Sequence, residues 1–244
     1  MRSGVVTLAL VSAACAQPGK ERSATEAVHA TPSASATTVV AVASSQPAKA
    51  PVHLAGSYGL VVVSAEGRTM PIVYLHGMWA SPEDSCSYFE LAAATFGPLV
   101  CPRGNLPPSA GGAWGGSLAD KRKSLDVALA LVKRADRGVL LGFSSGAAFA
   151  LQLALEEPGR WPSLVLMSMP LNPSATALKT AGVERVVLAA GEQDGSYAHL
   201  VGLAKTLEKG GIAARFVTLG KVGHHFAADM EARMVDVLQW VTSK

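Results

Sequence analysis

The chain has 244 residues, 49% hydrophobic and 16% charged, with a formal net charge of +3. That is enough length and apolar mass for one domain and a tail. A near-neutral chain with no basic run, and no basic residues interleaved with aromatics, argues against nucleic acid as a partner.

Residues 1–15 read as a targeting leader. Arg2 is a minimal positive start, and Val5-Val6-Thr7-Leu8-Ala9-Leu10-Val11 is an apolar core too short to span a bilayer. Ser12-Ala13-Ala14 then lead into Cys15. Small residues before a cysteine resemble a bacterial lipoprotein signal, whose cysteine is lipidated and becomes the mature N-terminus. Ser12 stands where such signals usually carry Leu. Ordinary signal-peptidase cleavage near Ala14 or Ala16 is the rival reading, and a buried N-terminal strand is the plain one. The expectation is export, either anchored in the cell envelope through Cys15 or secreted, with no other membrane contact. Residues 16–54 are rich in Ala, Ser, Thr, Pro and Gln. They have little large apolar surface to offset the entropy of ordering, and read as a disordered linker ahead of a domain at 55–244.

Leu60-Val61-Val62-Val63-Ser64 is a β-branched run, followed by a second strand pattern at Ile72-Val73-Tyr74-Leu75. His76-Gly77-Met78-Trp79 comes directly after it. Ser81-Pro82-Glu83-Asp84 is a helix start, with Ser as cap, Pro in the first position and acids in the first turn. Cys86 lies beyond it, and Pro98-Leu99-Val100-Cys101 is a third strand pattern. With Cys15 lipidated or removed, Cys86 and Cys101 remain. In an exported chain that favours a disulfide over two separate buried thiols. Gly111-Gly112-Ala113-Trp114-Gly115-Gly116 has the look of a phosphate loop. It lacks the Lys-Ser/Thr such a loop requires and follows no strand directly, so a mobile loop is the better reading. Ser117 opens a helix with apolar spacing at Leu125, Ala128, Leu129, Leu131 and Val132.

Gly142-Phe143-Ser144-Ser145-Gly146 then sits between the apolar run 139–143 and the helical stretch Ala147 to Glu157. In a strand–turn–helix, small residues around a serine permit a strained turn that presents its hydroxyl as a nucleophile. Strand patterns recur at Leu164–Met167, Val186–Ala189 and Arg215–Leu219, with helices at Tyr197–Lys209 and Phe226–Val241. Strands alternating with helices imply an α/β fold: a doubly wound, mostly parallel sheet with helices on both faces and catalytic groups at the carboxyl ends of the strands.

A nucleophilic serine needs a base, and the base needs an orienting acid. Asp194, in Gly191-Glu192-Gln193-Asp194-Gly195, follows one strand. His224, in Gly223-His224-His225-Phe226, follows another. The order Ser144, Asp194, His224 is the one expected of α/β hydrolases. The glycine of His76-Gly77 lets backbone amides turn toward a reacting carbonyl. The amides of Met78 and Ser145 are the candidate oxyanion-hole donors, aided by the positive end of the following helix.

Taken together, these residues resemble the α/β-hydrolase superfamily, in particular its small serine esterases, over roughly residues 56 to 244. The matching positions are His76-Gly77, Gly142-x-Ser144-x-Gly146, Asp194 and Gly223-His224. The resemblance implies a serine hydrolase acting on carboxylic esters through an acyl-enzyme, without cofactor or metal, on a small-molecule substrate. Dienelactone-hydrolase-like relatives typically use a cysteine nucleophile, which is absent here. Only Pro170 to Glu184 separates two of the strands, so a lid is minimal or missing and the site is open. A peptidase or amidase on the same scaffold, and a catalytically silent envelope protein, are the alternatives.

Each reading has a plainer rival. Ser144 is otherwise a turn serine. Asp194 is otherwise a helix cap, with Glu192 competing as the acid. His225 competes with His224, although neighbouring side chains in an extended loop face opposite ways. His76 is expected to fix the oxyanion loop. Trp79 and Trp114 either line a pocket or pack ordinarily. His29, His53 and His199 have no partner in sequence that assigns them a role.

Overall fold

The computed structural model describes residues 52–63, 70–132 and 136–243. The leader, Cys15 and the linker up to residue 51 lie outside the described residues. β1 (Val52–Gly56) begins inside the segment read from composition as linker. Its five residues are too few to register against an Ala/Ser/Pro background. The strand is defined by its antiparallel ladder with β2 (Gly59–Val63), in which Val52 faces Val63 and Gly56 faces Gly59.

The remaining strands are β3 (Ile72–Leu75), β4 (Leu99–Pro102), β5 (Val139–Phe143), β6 (Ser163–Met167), β7 (Arg185–Ala190) and β8 (Ala213–Thr218). They complete a sheet of order β1-β2-β4-β3-β5-β6-β7-β8. β3 to β8 are mutually parallel, and β2 pairs antiparallel with both β1 and β4. This is the mostly parallel sheet expected.

Alternate residues of β3 to β7 feed two cores. Val73, Leu75, Leu140, Leu164, Leu166, Val186 and Leu188 pack under α3 (Leu118–Ala130), α4 (Ser145–Glu156), α5 (Ala175–Thr180) and α6 (Tyr197–Lys209). Ile72, Tyr74, Leu99, Val139, Leu141, Val165 and Val187 pack under α2 (Glu90–Ala94) and α7 (Met230–Thr242). Burial on both faces is why these strands read as unbroken apolar runs.

The helix opened by Ser81 is short. α1 (Pro82–Ser85) passes into a 3-10 turn, Cys86–Phe89, and then into α2. The last helix starts at Met230 rather than Phe226, because the Phe226 ring is held in an aromatic cluster described below. The connection from β6 to β7 contains only α5, a six-residue helix capped by Ser174 and buried through Leu178. No lid domain interrupts the sheet there.

Chain order and strand order diverge around β3. The chain goes outward from β3 to β4, then crosses back to β5 on the other side of β3. Such a reversal opens a crevice at the carboxyl ends of the two strands, and those ends carry His76-Gly77 and Phe143-Ser144.

Cys86 and Cys101 form a disulfide, both residues buried, which ties the 3-10 turn to β4. It closes a sequence separation of 15, contributing about 3 kcal/mol in the chain-entropy model. Replacing both cysteines with alanine should lower the unfolding free energy in urea by about that amount. Reductant should then have no further effect on the variant's transition.

Candidate active site

Ser144 follows β5 directly and is the residue ahead of α4, with φ 53° and ψ −123°. A non-glycine residue in this region is strained, and here the strain points the side chain away from the sheet. The flanking glycines are required by close approach. A Cβ on Gly142 would lie 2.5 Å from the Ala147 Cα, and one on Gly146 would lie 2.0 Å from the Leu75 carbonyl oxygen. The turn is fixed by Ser144 N–H donating to Met167 O at 2.9 Å and by Ala147 N–H donating to Ser144 O at 2.9 Å.

The structure brings Ser144, His224 and Asp194 together from three loops. His224 Nε2 lies 3.0 Å from Ser144 Oγ, and His224 Nδ1 lies 2.8 Å from Asp194 Oδ2. With Nδ1–H donating to the carboxylate, Nε2 is free to accept the serine proton. Asp194 itself is buried, which pushes its carboxyl up. The Ser196 amide and hydroxyl and the His224 ring outweigh that and hold it below the usual carboxylate range. A weaker pull comes from the Ser168 hydroxyl, which makes no well-formed hydrogen bond of its own. The His224 side chain is 54% exposed against 4% for Asp194, so the carboxylate is sheltered and the imidazole is open to water.

His224 sits on an irregular loop, and aromatic packing holds that loop in place. Phe226 contacts Phe143 at 4.7 Å, Tyr88 at 5.1 Å and Phe89 at 5.5 Å between ring centroids, and Phe143 contacts His224 at 5.0 Å. His225 is exposed and bonds the carbonyl of its neighbour Phe226. Glu192, the competing acid, lies toward Thr218.

The loop after β3 passes over the serine: a Cβ on Gly77 would stand 3.1 Å from Ser144 Cβ. Neither the Met78 nor the Ser145 amide donates to a backbone carbonyl among the described residues, and Ser145 opens α4, where amides have no partner within the helix. His76 anchors this loop from behind. It is 1% exposed, its Nε2 accepts from the Gly104 amide at 3.0 Å, and so its Nδ1–H donates to Gly77 O at 2.8 Å. Two further bonds fasten the loop, Trp114 Nε1–H to His76 O at 2.8 Å and Trp79 N–H to Gly111 O at 2.7 Å.

The glycine-rich segment is therefore a brace for the loop. Trp114 is drawn into the core against Phe149 and His76 and lines no open surface. Trp79 does the opposite. With φ 62° and 75% exposure, it stands at the rim of a cavity of about 240 Å³ that also takes in His76, Ser81, Arg103 and Leu106. The sequence reading missed Ser196, Phe143 and Phe226. Asp194-Gly195-Ser196 carried a signal for the first, since an Asp side chain commonly bonds the amide two residues on. The aromatic contacts join residues far apart in the chain and carried none.

No protein-family model matches the chain, and no curated protein sequence does. Solved structures share its fold. Esterase PE8 superposes with a TM-score of 0.58 at 18% identity, covering 75% of this chain and 98% of that one. FphF, a fluorophosphonate-binding serine hydrolase of Staphylococcus aureus, superposes with 0.58 at 14% identity, covering 82% and 100%. The S-formylglutathione hydrolase FrmB of the same organism superposes with 0.56 at 12% identity, covering 80% and 98%. The fold of this chain is that of the α/β hydrolases.

Burial lowers the pKa of His76 below its ordinary value, against the pull of the Gly77 carbonyl. A histidine whose folded pKa lies below its unfolded value of about 6.5 contributes its full stability above that pH, and loses it as the pH falls toward the folded value. The melting temperature should therefore decline as the pH falls below about 6.5. His76→Ala leaves the Gly104 amide unpaired, at a cost of about 1–3 kcal/mol, or about 2–4 °C per kcal/mol for a domain of this size. It should lower the melting temperature at neutral pH and flatten its decline in acid, both read by thermal unfolding across pH.

Proposed function

We propose that the protein is a serine hydrolase that cleaves carboxylic esters through an acyl-enzyme. The reading is carried by the relay from Ser144 Oγ to His224 Nε2 and from His224 Nδ1 to Asp194 Oδ2, at 3.0 and 2.8 Å. In this mechanism Ser144 Oγ attacks the acyl carbon while its proton passes to His224 Nε2. The amides of Met78 and Ser145 hold the oxygen as it becomes negative, and the N-terminus of α4 adds its positive end. His224 then protonates the departing alkoxide, so that an alcohol leaves and the acyl group stays on Ser144. A water molecule repeats the sequence from the same side: His224 takes its proton, the hydroxyl adds to the acyl carbon, and the proton returns to Ser144 as the acid departs. Asp194 fixes the ring tautomer and stabilises the transient imidazolium.

The exposed imidazole and the absence of a lid domain between β6 and β7 suit small, water-borne esters that need no interfacial opening. Export belongs to the same proposal, and a buried disulfide suits an oxidising compartment.

A fluorophosphonate probe should label the full chain at one residue, and Ser144→Ala should abolish labelling. The same variant should lose on the order of 10⁴-fold or more in kcat on p-nitrophenyl acetate. Labelling that persists unchanged in Ser144→Ala would sink the proposal. Matched p-nitrophenyl esters and p-nitroanilides then separate esterase from amidase. A chain-length series of esters reports how much acyl group the open site accepts.

A further inference from the structure

A serine at the start of an α-helix ordinarily turns its hydroxyl onto the free amides of the first turn. Ser81, Ser117 and Ser174 do so, accepting from the amides of Asp84, Asp120 and Ala177. Ser196, the residue ahead of α6, makes no such bond. Its hydroxyl donates to Asp194 Oδ1 at 2.7 Å, and its own amide donates to the same oxygen at 2.8 Å. Ser196 is 5% exposed, so water does not compete for the hydroxyl. Ser196 has helical backbone angles, φ −85° and ψ −9°, where Ser81, Ser117 and Ser174 are extended, so its hydroxyl is turned away from the first-turn amides and committed to the carboxylate.

Rotation about the last bond of an aspartate is soft and roughly two-fold. Two donors on Oδ1 remove that freedom and leave Oδ2 as the oxygen that meets His224 Nδ1, at 2.8 Å. The imidazole is more than half exposed and, among the described residues, has Phe143 as its one aromatic neighbour. Its orientation toward Ser144 therefore depends on a fixed carboxylate.

We propose that the Ser196 hydroxyl is a positioning group for the hydrolase: it clamps Asp194 Oδ1 so that Oδ2 holds His224 in line with Ser144. The inference rests on the Ser144–His224–Asp194 reading above. Ser196 touches neither substrate nor reacting atoms and acts only through Asp194.

The test is steady-state kinetics on p-nitrophenyl acetate with the full chain, each variant checked for folding by circular dichroism. Ser196→Ala should lower kcat roughly tenfold to a hundredfold, the penalty typical of a small misplacement of a catalytic group, with KM unchanged. Ser196→Thr, which keeps a hydroxyl, should restore most of the loss. In an Asp194→Ala background, adding Ser196→Ala should change kcat by no more than about twofold, because the two residues act as a unit. The downfield proton resonance of His224 Nδ1–H should broaden in Ser196→Ala and return in Ser196→Thr.

A folded Ser196→Ala with wild-type kcat overturns the inference. So does a loss confined to KM, or an equal loss in the Asp194→Ala background. Should Ser196→Ala fail to fold, Ser196→Cys, similar in size with a weaker donor, is read by the same criteria. If Ser144→Ala abolishes turnover while Ser196→Ala does not affect it, the inference alone fails. If Ser144→Ala turns over normally, the hydrolase reading fails with it.

Discussion

The close packing of α4 against the ends of β3 and β5 is the constraint on which the site is built. The helix begins one residue after Ser144, and its first turn presses on the Leu75 carbonyl with no room for a side chain at Gly146. Ser144 is left with backbone angles that a serine adopts only under compulsion. The strain is sustained because parallel strands on either side, buried on both faces, hold the ends of the turn. The same contact brings the amide of Ser145 and the loop through Gly77 to one side of the hydroxyl.

Around this rigid turn the other parts are held with differing firmness. The loop carrying Met78 is braced by neutral, buried His76 and by the glycine-rich segment 104–116, which meets it at three points through the Gly104 amide, the Gly111 carbonyl and the Trp114 indole N–H. The Asp194 carboxylate is buried and doubly bonded by Ser196. The histidine loop has no helix or strand of its own and depends on Phe226, whose ring bridges Phe143 to Tyr88 and Phe89. The disulfide at Cys86 ties that aromatic floor to β4.

Much of the fold was legible because β-branched runs flanked by turn residues and capped helices are local signals. Leu164–Met167 and Tyr197–Lys209 appear almost as read. The helix at Ala175–Thr180 is one and a half turns, stabilised by a single buried leucine, and its periodicity is too brief to see. Phe226 fits a helical stripe in sequence, yet its ring is taken by an aromatic cluster to which three other segments supply Tyr74, Tyr88 with Phe89, and Phe143. Tertiary packing overrode local propensity there and moved the start of the last helix to Met230. Trp79 and Trp114 are alike in composition and setting. Trp114 is buried by packing against Phe149 and His76 and by its bond to the His76 carbonyl, while Trp79, at φ 62°, stands exposed.

By itself, the sequence determined the strand–helix alternation and the order of Ser144, Asp194 and His224 along the chain. It also determined the glycines that a sharp turn at Ser144 requires. These follow from the spacing of side chains along the chain, which folding does not alter. The tertiary structure decided which of two adjacent histidines faces the serine, which carboxylate meets that histidine, and where the Ser196 hydroxyl is spent. Each of these depends on distances of about 3 Å between residues from different loops. Such distances are set by how the crossover around β3 stacks the strand ends, not by any pattern within one segment.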